Sequence, residues 1–523
     1  MHLLKELQKK TRSNPCGMNN LNQMKRFPYT LILLIALVII PSCLFSQQTN
    51  LRLTLDDVIR LAKEQSPSAI MARHRFRGSY WEYRTHVAKF RPSLTLTSVL
   101  PELSRSIDKI TLEEGDKFVP RSLMSSSVDV SLVQNIALTG GSIFMSSGLE
   151  RIDNFNADSI NRQAPISYLS TPVSIGFRQP IKAYNSFRWE KRIEPLKYEE
   201  ARKDYIDAME NVSLRAVNYF FNLIIAQVNL KIGQINYASN DTLFKIAQGR
   251  YNIGTIAENE LLQMELALLN AGTALNEAGI QLEINKFQLR SFLGFNETVN
   301  IELMIPSKIP DFEVDVKKAL EEAKNNSPDI ISLQRQMLEA DQSVAQAKAE
   351  KGLTADLFAT YGLTQDDFTI PDAYKNFQDQ QRVQIGLEIP IVDWGMGRGR
   401  YRMAQSNQEV VRTTVQQSET DFEQQVMLQV LQFNLQDDQV RIAAKADTIA
   451  QNRYNVTKQR FLIGKIDVTD LNIALTEKDA ATRSYLSRLN NYWTYFYTIR
   501  RLTLYDFEKN IPLTEDFDRL VEQ

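Results

Sequence analysis

The chain has few of the residues that build metal, redox or disulfide sites. Its 523 residues include only two cysteines, Cys16 and Cys43, and only three histidines, His2, His74 and His86. Two cysteines exclude both a disulfide framework and a four-thiolate zinc site. Three scattered histidines exclude a histidine-rich metal centre. We therefore expect neither a metal nor a cofactor.

The chain also has no excess of charge of one sign. Its 61 Lys and Arg against 62 Asp and Glu give a net charge of -1, and no local basic cluster is visible. A protein of this balance has no general attraction to polyanions, so we expect no nucleic-acid partner. A mean hydropathy of -0.30 excludes a bundle of many membrane helices, because each would need about 20 mostly apolar residues.

Catalytic motifs are missing as well. Residues 395–400 (Gly-Met-Gly-Arg-Gly-Arg) resemble a phosphate-binding loop, but they lack the Gly-Lys-Ser/Thr of that loop and the third glycine of the dinucleotide fingerprint. There is no Gly-x-Ser-x-Gly and no His-Glu-x-x-His. The sequence predicts a protein that is not an enzyme.

One apolar run lies near the start of the chain. Residues 27–40 (FPYTLILLIALVII) follow Met24-Lys-Arg and precede Pro41-Ser-Cys43. This order is typical of a secretory signal peptide, here residues 1–46, and translation could begin at Met24. The peptide could end by ordinary cleavage before Gln47, which we favour, or at a lipobox that would leave a lipid on Cys43.

The body of the chain is duplicated. Residues 172–181 correspond to residues 382–391, and residues 250–256 to residues 460–466, both at a shift of 210. The sequence therefore predicts a first repeat at 51–310, a second at 311–510 and a tail at 511–523. Upstream, the Ser-Pro at 66–67 matches that at 327–328 at a shift of 261, so the first repeat carries 261 − 210 = 51 extra residues. We expect these to form an added hairpin or loop within 101–170.

Helical spacing of apolar residues dominates each repeat. Residues 182–249 and 392–459 contain almost no Gly or Pro after their first turns, which predicts long helices. About 67 residues would make a rod of about 100 Å, which needs neighbours along its whole length. Return helices are expected at 257–292 and 467–502. Two further helical stretches, each broken near a Ser-Pro, are expected at 56–89 and 314–351.

Alternation of polar and apolar residues predicts the strands. It occurs at 93–99, 127–133, 173–179 and 383–389. Such strands suit a sheet with one face toward lipid and one toward water, but also a soluble sandwich. Because four strands cannot close a barrel, a membrane location would require several copies of the chain.

In their order and spacing these features resemble the TolC family of outer-membrane efflux proteins. The resemblance covers residues 51–510 and rests on the signal peptide, the duplication, Pro390-Ile-Val-Asp-Trp-Gly395 and the two Tyr/Phe-x-x-Gly tips. It implies an α+β membrane protein with a duplicated helix–strand–strand–helix repeat. Three copies would form one outer-membrane β-barrel, continuous with a long periplasmic α-helical barrel.

The resemblance also implies a function and partners. The homotrimer would be the exit duct of a tripartite efflux or type I secretion system, passively conducting substrates to the outside. It would reside in the outer membrane, extend into the periplasm and contact outer-membrane lipid. Its partners would be a periplasmic adaptor (membrane fusion) protein and an inner-membrane pump.

In this family the periplasmic tip is closed by the return helices and lined by carboxylates. The acidic position falls six residues after the turn glycine, where this chain has Glu260 and Asp470. The family often has a second acid where this chain has Ile473, and Asp467 could substitute for it. In a trimer each carboxylate occurs three times around one axis and would bind cations.

The glycines and arginines of the tip complete the candidate gate. Gly254 and Gly464 are expected to end the long helices in the left-handed region. Arg250 and Arg460, one turn earlier, could pair with the acids and hold the tip closed, or could simply be solvated.

The acids also have a structural interpretation. Asp467-Val-Thr-Asp470 has the spacing of an N-cap with an acidic N3 residue, and Glu260 suits a helix start.

A second function stays open on the residues alone. Long helices with a small β domain also suit a soluble periplasmic coiled-coil adaptor or scaffold. Such a protein would fractionate without detergent, whereas a barrel would need detergent and resist dissociation without heating.

Overall fold

The structure is a computed structural model, and it describes residues 50–112, 115–155, 166–295, 299–306 and 308–522. The predicted signal peptide at 1–46, with Cys43, lies outside these ranges. The chain divides into two compact units, and of the first, Met1–Asn50 with Thr298–Asn300, only residues 50, 299 and 300 are described. The second unit, Leu51–Glu297 with Ile301–Gln523, contains all the helices of the described ranges and nearly all the strand residues.

Helices and strands follow each other in the same order in the two halves. The first half contains β1 (Asn50–Leu53), α1 (Leu55–Gln65), α2 (Pro67–Lys89), β2 (Ser93–Leu112), β3 (Gly115–Ile136), β4 (Gly141–Asn154), β5 (Ile166–Lys182), α3 (Ser186–Asn252) and α4 (Glu258–Leu293). The second half contains β6 (Asn300–Leu303), α5 (Val316–Asn326), α6 (Pro328–Glu350), β7 (Thr354–Asp367), α7 (Ile370–Ala373), β8 (Gln378–Glu388), α8 (Met396–Asn434), α9 (Gln436–Leu462) and α10 (Val468–Thr503). The short elements β9 (Tyr505–Asp506), β10 (Ile511–Pro512) and α11 (Phe517–Glu522) follow.

Both predicted breaks at Ser-Pro are confirmed. The Ser66 hydroxyl accepts a hydrogen bond from the Ala69 N–H at 3.1 Å, and the Ser327 hydroxyl from the Asp329 N–H at 3.2 Å. Proline has no N–H and disfavours a helical residue before it, so it ends one helix and begins the next. The same local chemistry therefore produces α1–α2 and α5–α6.

The long helices differ between the halves. Helix α3 is continuous over 67 residues, as predicted. Its counterpart is interrupted at Leu435, where the prediction of one helix over 392–459 is wrong. The Gln436 side-chain amide donates to the Gln432 carbonyl at 2.9 Å, the carbonyl that a regular helix would use for the N–H of residue 436. None of the helices in the described ranges is long and apolar enough to cross a membrane.

The main core lies where the long helices pack together. Helix α3 packs against both α4 and α10. From α3, Phe220 and Phe221 are fully buried, and from α10 Leu489 and Tyr492 are 1% exposed. Burying each large apolar side chain contributes roughly 1.5–3 kcal/mol, so these contacts hold the two halves together.

Six of the described strands form one antiparallel sheet, in the order β2-β3-β4-β5-β7-β8. The four predicted strands are confirmed within it. Within the described ranges, the extra residues of the first half lengthen β2 and supply β3 and β4, which are joined by a turn at residues 137–140. Strand β5 then pairs with β7, which joins the two halves of the chain in a single sheet.

The sheet has two chemically distinct faces, because alternate residues of a strand point to opposite sides. The apolar face is exposed and carries Leu94, Leu96, Val128, Ile143, Met145, Ile175, Phe177, Tyr361, Val383, Ile385 and Leu387. The opposite face is polar and includes Thr95, Thr97, Ser127, Asp129, Ser131, Ser142, Ser146, Ser174, Arg178, Thr360, Arg382 and Gln384.

Candidate functional site: the helical tip

The two helix hairpins, α3–α4 and α9–α10, turn at corresponding glycines. Gly254 and Gly464 both have φ of 74°, in the left-handed region where glycine alone avoids a steric penalty. The Thr255 N–H donates to the Arg250 carbonyl at 2.9 Å, and the Lys465 N–H donates to the Arg460 carbonyl at 2.9 Å. The turn geometry expected of the glycines is thus present in both halves.

The candidate gate acids begin the return helices. Asp467 is the N-cap of α10 and accepts a hydrogen bond from the Asp470 N–H at 2.9 Å. Asp470 and Glu260 lie in the first turns of α10 and α4, where a negative charge is favoured by the helix dipole. Asp467 and Asp470 are exposed and Glu260 is half-buried. In the described part of the single chain, no lysine or arginine pairs with any of the three.

The two candidate arginines take different positions. The Arg250 guanidinium donates to the Leu462 carbonyl at 3.3 Å and lies 5.6 Å from the Phe461 ring centroid. It therefore ties the end of α3 to the end of α9, because this carbonyl lies at the helix terminus, where no N–H takes it. Neither alternative raised for Arg250, a pair with an acid or simple solvation, describes this contact in the single chain. Arg460 is exposed.

A small core lies behind the tip, and sequence reasoning missed it. Its members come from all four helices: Leu243, Ala247, Met264, Tyr454, Phe461, Val468, Leu471 and Ala474. Met264 is fully buried and Leu471 is 1% exposed. The three- and four-residue spacing of Val468, Leu471 and Leu475 was a visible signal for this contact. The core makes the two hairpins of one chain a single packed body at this end.

Exposed apolar stripes follow the outer sides of the hairpins. On α8 and α9 one residue in seven is a large aliphatic that is 56–66% exposed: Leu428, Leu435, Ile442, Ile449, Val456 and Ile463. On α4 the corresponding set, 43–65% exposed, is Leu262, Leu266, Leu269, Ile280, Ile284 and Phe287. A seven-residue repeat keeps its members on one side of a helix, as in coiled coils. The stripes have the pattern of surfaces that pack against further helices.

A buried ion cluster joins the two halves away from the tip. The Glu210 carboxylate on α3 lies 2.6 Å from Lys63 Nζ and 3.0 Å from Arg500 Nε, and Arg500 also pairs with Asp506. Burial alone would raise the pKa of Glu210, but Lys63 and Arg500 outweigh it and hold that pKa below its usual value. Sequence reasoning missed this cluster.

Two acids beside the cluster, Asp204 and Asp207, have raised pKa values, whereas the pKa of Glu210 is lowered. Burial raises the pKa of Asp207 to about 6, with Asp329 and Glu210 adding to the shift and Arg501 opposing it. The pKa of Asp204 is also raised to about 6, by desolvation from its surroundings and by nearby Glu200 and Asp207, although its side chain is exposed on the single chain. These carboxylates are poised to take up protons in mildly acidic conditions.

In the described ranges, no group of three or more His, Cys, Asp or Glu side chains could hold a metal ion. His86 packs against the rings of Tyr83 and Phe90, and burial lowers its pKa. These ring contacts make His86 a packing residue of α2.

Comparison with known proteins identifies the same architecture. Residues 319–503 match the family described as outer membrane efflux protein. The fold is similar to that of the Campylobacter jejuni CmeC outer membrane channel, with 15% identity and a TM-score of 0.64, over 90% of this chain and 88% of that one. The Vibrio cholerae outer membrane protein VceC follows with 14% identity and a TM-score of 0.59, over 86% of this chain and 95% of that one.

The open state of the Neisseria gonorrhoeae MtrE outer membrane channel is also similar, with 14% identity and a TM-score of 0.57, over 88% of this chain and 90% of that one. Among curated protein sequences none matches significantly. The expected α+β fold with its duplicated helix and strand pattern is confirmed, and it is the fold of these outer membrane channels. The match over residues 319–503 confirms the resemblance of this chain to the TolC family of outer-membrane efflux proteins that its motifs indicate.

Proposed function

We propose that the protein is the outer-membrane exit duct of a tripartite efflux or type I secretion system. It passively conducts substrates that an inner-membrane pump delivers through the periplasm. The observation that carries this proposal is the sheet with one exposed apolar face and one polar face. Leu96 and Ile385 are 67% and 61% exposed on the first face, and such a surface is stable against lipid but costly in water.

The duct works as a homotrimer. The apolar stripes of α4 and α9 supply helix surfaces that pack against neighbouring copies. The outer edges of the two edge strands of the sheet are unpaired within the described part of one copy, and strands of other copies pair with them. Outer-membrane lipid covers the apolar face of the sheet, and the helices extend into the periplasm. At the tip, an adaptor protein and a pump are the partners.

Opening is a movement of the tip. In the closed trimer, Glu260, Asp467 and Asp470 each occur three times near one axis and bind cations. The turns at Gly254 and Gly464 relax outward when the partners break the tip contacts. The small core behind the turns supports a movement in which both hairpins of a chain travel together.

Planar bilayers test the proposal. Protein extracted from the outer membrane in detergent is expected to insert as discrete conducting units, with a conductance that falls when multivalent cations are added on the periplasmic side. Protein that stays in the soluble fraction and never conducts would contradict the duct and favour the periplasmic scaffold.

A further inference from the structure

The six-stranded sheet has two free edges, and both flank its apolar face. Strands β2 and β8 end the strand order, and in the described ranges neither outer edge is paired. Leu94 of β2 is 71% exposed and Val383 of β8 is 73% exposed, on the same face of the sheet. If this face meets lipid, each unpaired N–H or C=O along an edge costs several kcal/mol. The edges must therefore find partner strands.

The hairpin at the edge of the sheet, β2–β3, has the two-faced pattern of the other strands. Leu94 pairs with Leu132 and Leu96 pairs with Val130 on the apolar face. Thr95 pairs with Ser131 on the polar face. Strand β3 continues in the plane of the sheet, paired with β4 from Leu123–Asn154 to Ile136–Gly141. A hairpin lying outside the barrel wall would have no need of this alternation.

The two edges are also complementary in direction. Every neighbouring pair in the sheet is antiparallel, and the sheet has six strands. An even number means that β2 and β8 run in opposite directions. When the β8 edge of one copy meets the β2 edge of the next, the new ladder is antiparallel and the apolar face continues across it. An odd number of strands would have forced a parallel pair.

We propose that the β8 edge of each copy pairs with the β2 edge of the next, so that three copies of six strands close an eighteen-stranded barrel. The count of three rests on the proposed trimeric duct. A single sheet of six is below the eight strands of the smallest membrane barrels, so one copy cannot close by itself. Four strands per chain would have given twelve.

The added strands widen the mouth of the duct. With strands about 4.8 Å apart and tilted by about 40°, eighteen strands enclose a backbone diameter of about 36 Å, against about 24 Å for twelve. The polar face of the hairpin β2–β3 carries hydroxyl side chains, among them Thr95, Thr97 and Ser131. We infer that this duct releases cargo bulkier than a twelve-stranded barrel would pass.

A deletion of residues 93–136 removes the hairpin β2–β3 and reduces the sheet from six strands to four. The end of α2 and the end of β3 lie side by side, because the Gln134 amide donates to the Phe90 carbonyl at 2.8 Å and the Asn135 amide to the Lys89 carbonyl at 2.9 Å. Joining residue 92 to residue 137 therefore leads α2 directly into the turn before β4. Four strands per chain remain, in their original order.

Electron cryomicroscopy of the wild-type particle and of the deletion variant tests the proposal. We expect eighteen strands around the wild-type barrel and twelve around that of the variant. Twelve wild-type strands, with residues 93–136 outside the wall, would overturn the proposal while leaving the duct intact. A wild-type particle without a trimeric barrel would instead overturn the proposed function. If the variant fails to assemble, the number of strands in the wild-type barrel is sufficient to test the proposal.

Thiol labelling supplies a second measurement in solution. Thr360→Cys places a thiol on the polar face, and Tyr361→Cys places one on the apolar face as the matched control. Thiol-reactive polyethylene glycols added outside the cell should reach Thr360→Cys up to a larger size with the full sheet than with the deletion. An equal size limit in both backgrounds would contradict the wider mouth. The parent protein with only its native cysteines gives the background.

Discussion

The Arg500 guanidinium of α10 lies 3.0 Å (Nε to Oε2) from the Glu210 carboxylate of α3, and the two side chains are only 14% and 3% exposed. Glu210 also pairs with Lys63 at 2.6 Å, so one buried carboxylate holds cations from two other helices. Removing one partner of such a buried pair leaves an uncompensated charge. The relationship makes Glu210 a structural link between the two repeats.

We expect Glu210→Gln to destabilise the protein by about 3–5 kcal/mol, because the buried Arg500 would keep only Asp506 as a partner and the half-buried Lys63 would lose its carboxylate. Thermal or denaturant unfolding of the detergent-extracted protein measures this. Asp241→Asn is the control: the Asp241–Lys245 pair is 2.7 Å long but 39% and 69% exposed, and its loss should cost under about 1 kcal/mol. Equal effects of the two variants would contradict the link.

The same carboxylate predicts loss of stability in acid. The pKa of Glu210 is lowered in the folded chain, so its contribution is complete above the unfolded value of about 4.3 and is lost as the pH falls through the folded value. Wild-type stability should therefore fall below about pH 4, with a weaker dependence in Glu210→Gln. Parallel pH profiles of the two proteins would argue against this role.

Asp207 should give stability a pH dependence opposite to that of Glu210. Its pKa is raised to about 6, so the folded chain binds a proton more tightly than the unfolded chain, and stability falls as the pH rises from about 4 to 6. Asp207→Asn removes that charge and should stabilise the protein at pH 7 but not at pH 4. Melting temperatures at the two pH values provide the measurement. A variant less stable than wild type at pH 7 would show that the contact with Arg501 dominates.

The tip turns predict opposite effects for two glycines of one helix hairpin. Gly254→Ala should cost about 1–2 kcal/mol, because φ is 74° although nothing lies within 4 Å of the added Cβ. Gly249→Ala also meets open space but lies within α3, so it should stabilise by about 0.5–1 kcal/mol. The free energy of unfolding of the two variants measures both effects. A loss of stability in Gly249→Ala equal to that in Gly254→Ala would contradict the explanation from the positive φ of Gly254.

The gate acids predict a change in conduction. Exchanging Glu260 and Asp470 for Ala should raise the conductance or weaken block by multivalent cations in planar bilayers. Asp467→Asn serves as the control variant, because Asn retains the N-cap hydrogen bond while removing the charge. If only Asp467→Ala, and not Asp467→Asn, alters the current, Asp467 acts as a cap. Unchanged currents in the double variant would remove Glu260 and Asp470 from the gate.

Features fixed by local chemistry were predictable from the sequence. The breaks at Pro67 and Pro328 and the turns at Gly254 and Gly464 depend on residues within a few positions of each other, and the structure has each of them. The return helices end within a residue of their predicted limits for the same reason. Local composition was sufficient there.

Features that depend on distant partners were not predictable. Glu210 looks like any helix-surface acid until Lys63, 147 residues away, and Arg500, 290 residues away, are brought to it. The interruption at Leu435 arises from a side-chain hydrogen bond that periodicity does not report. The number of strands stayed open because alternation identifies a strand but not its neighbours, and only the pairing of β3 with β4 includes the extra residues in the sheet.

Membrane fractionation followed by mass measurement tests the central claim most directly. The detergent-extracted protein would be weighed and then run on a gel with and without boiling. We predict an outer-membrane protein of three copies that dissociates only on heating. A monomer or dimer recovered without detergent would contradict the duct and leave the long helices as those of a soluble periplasmic scaffold.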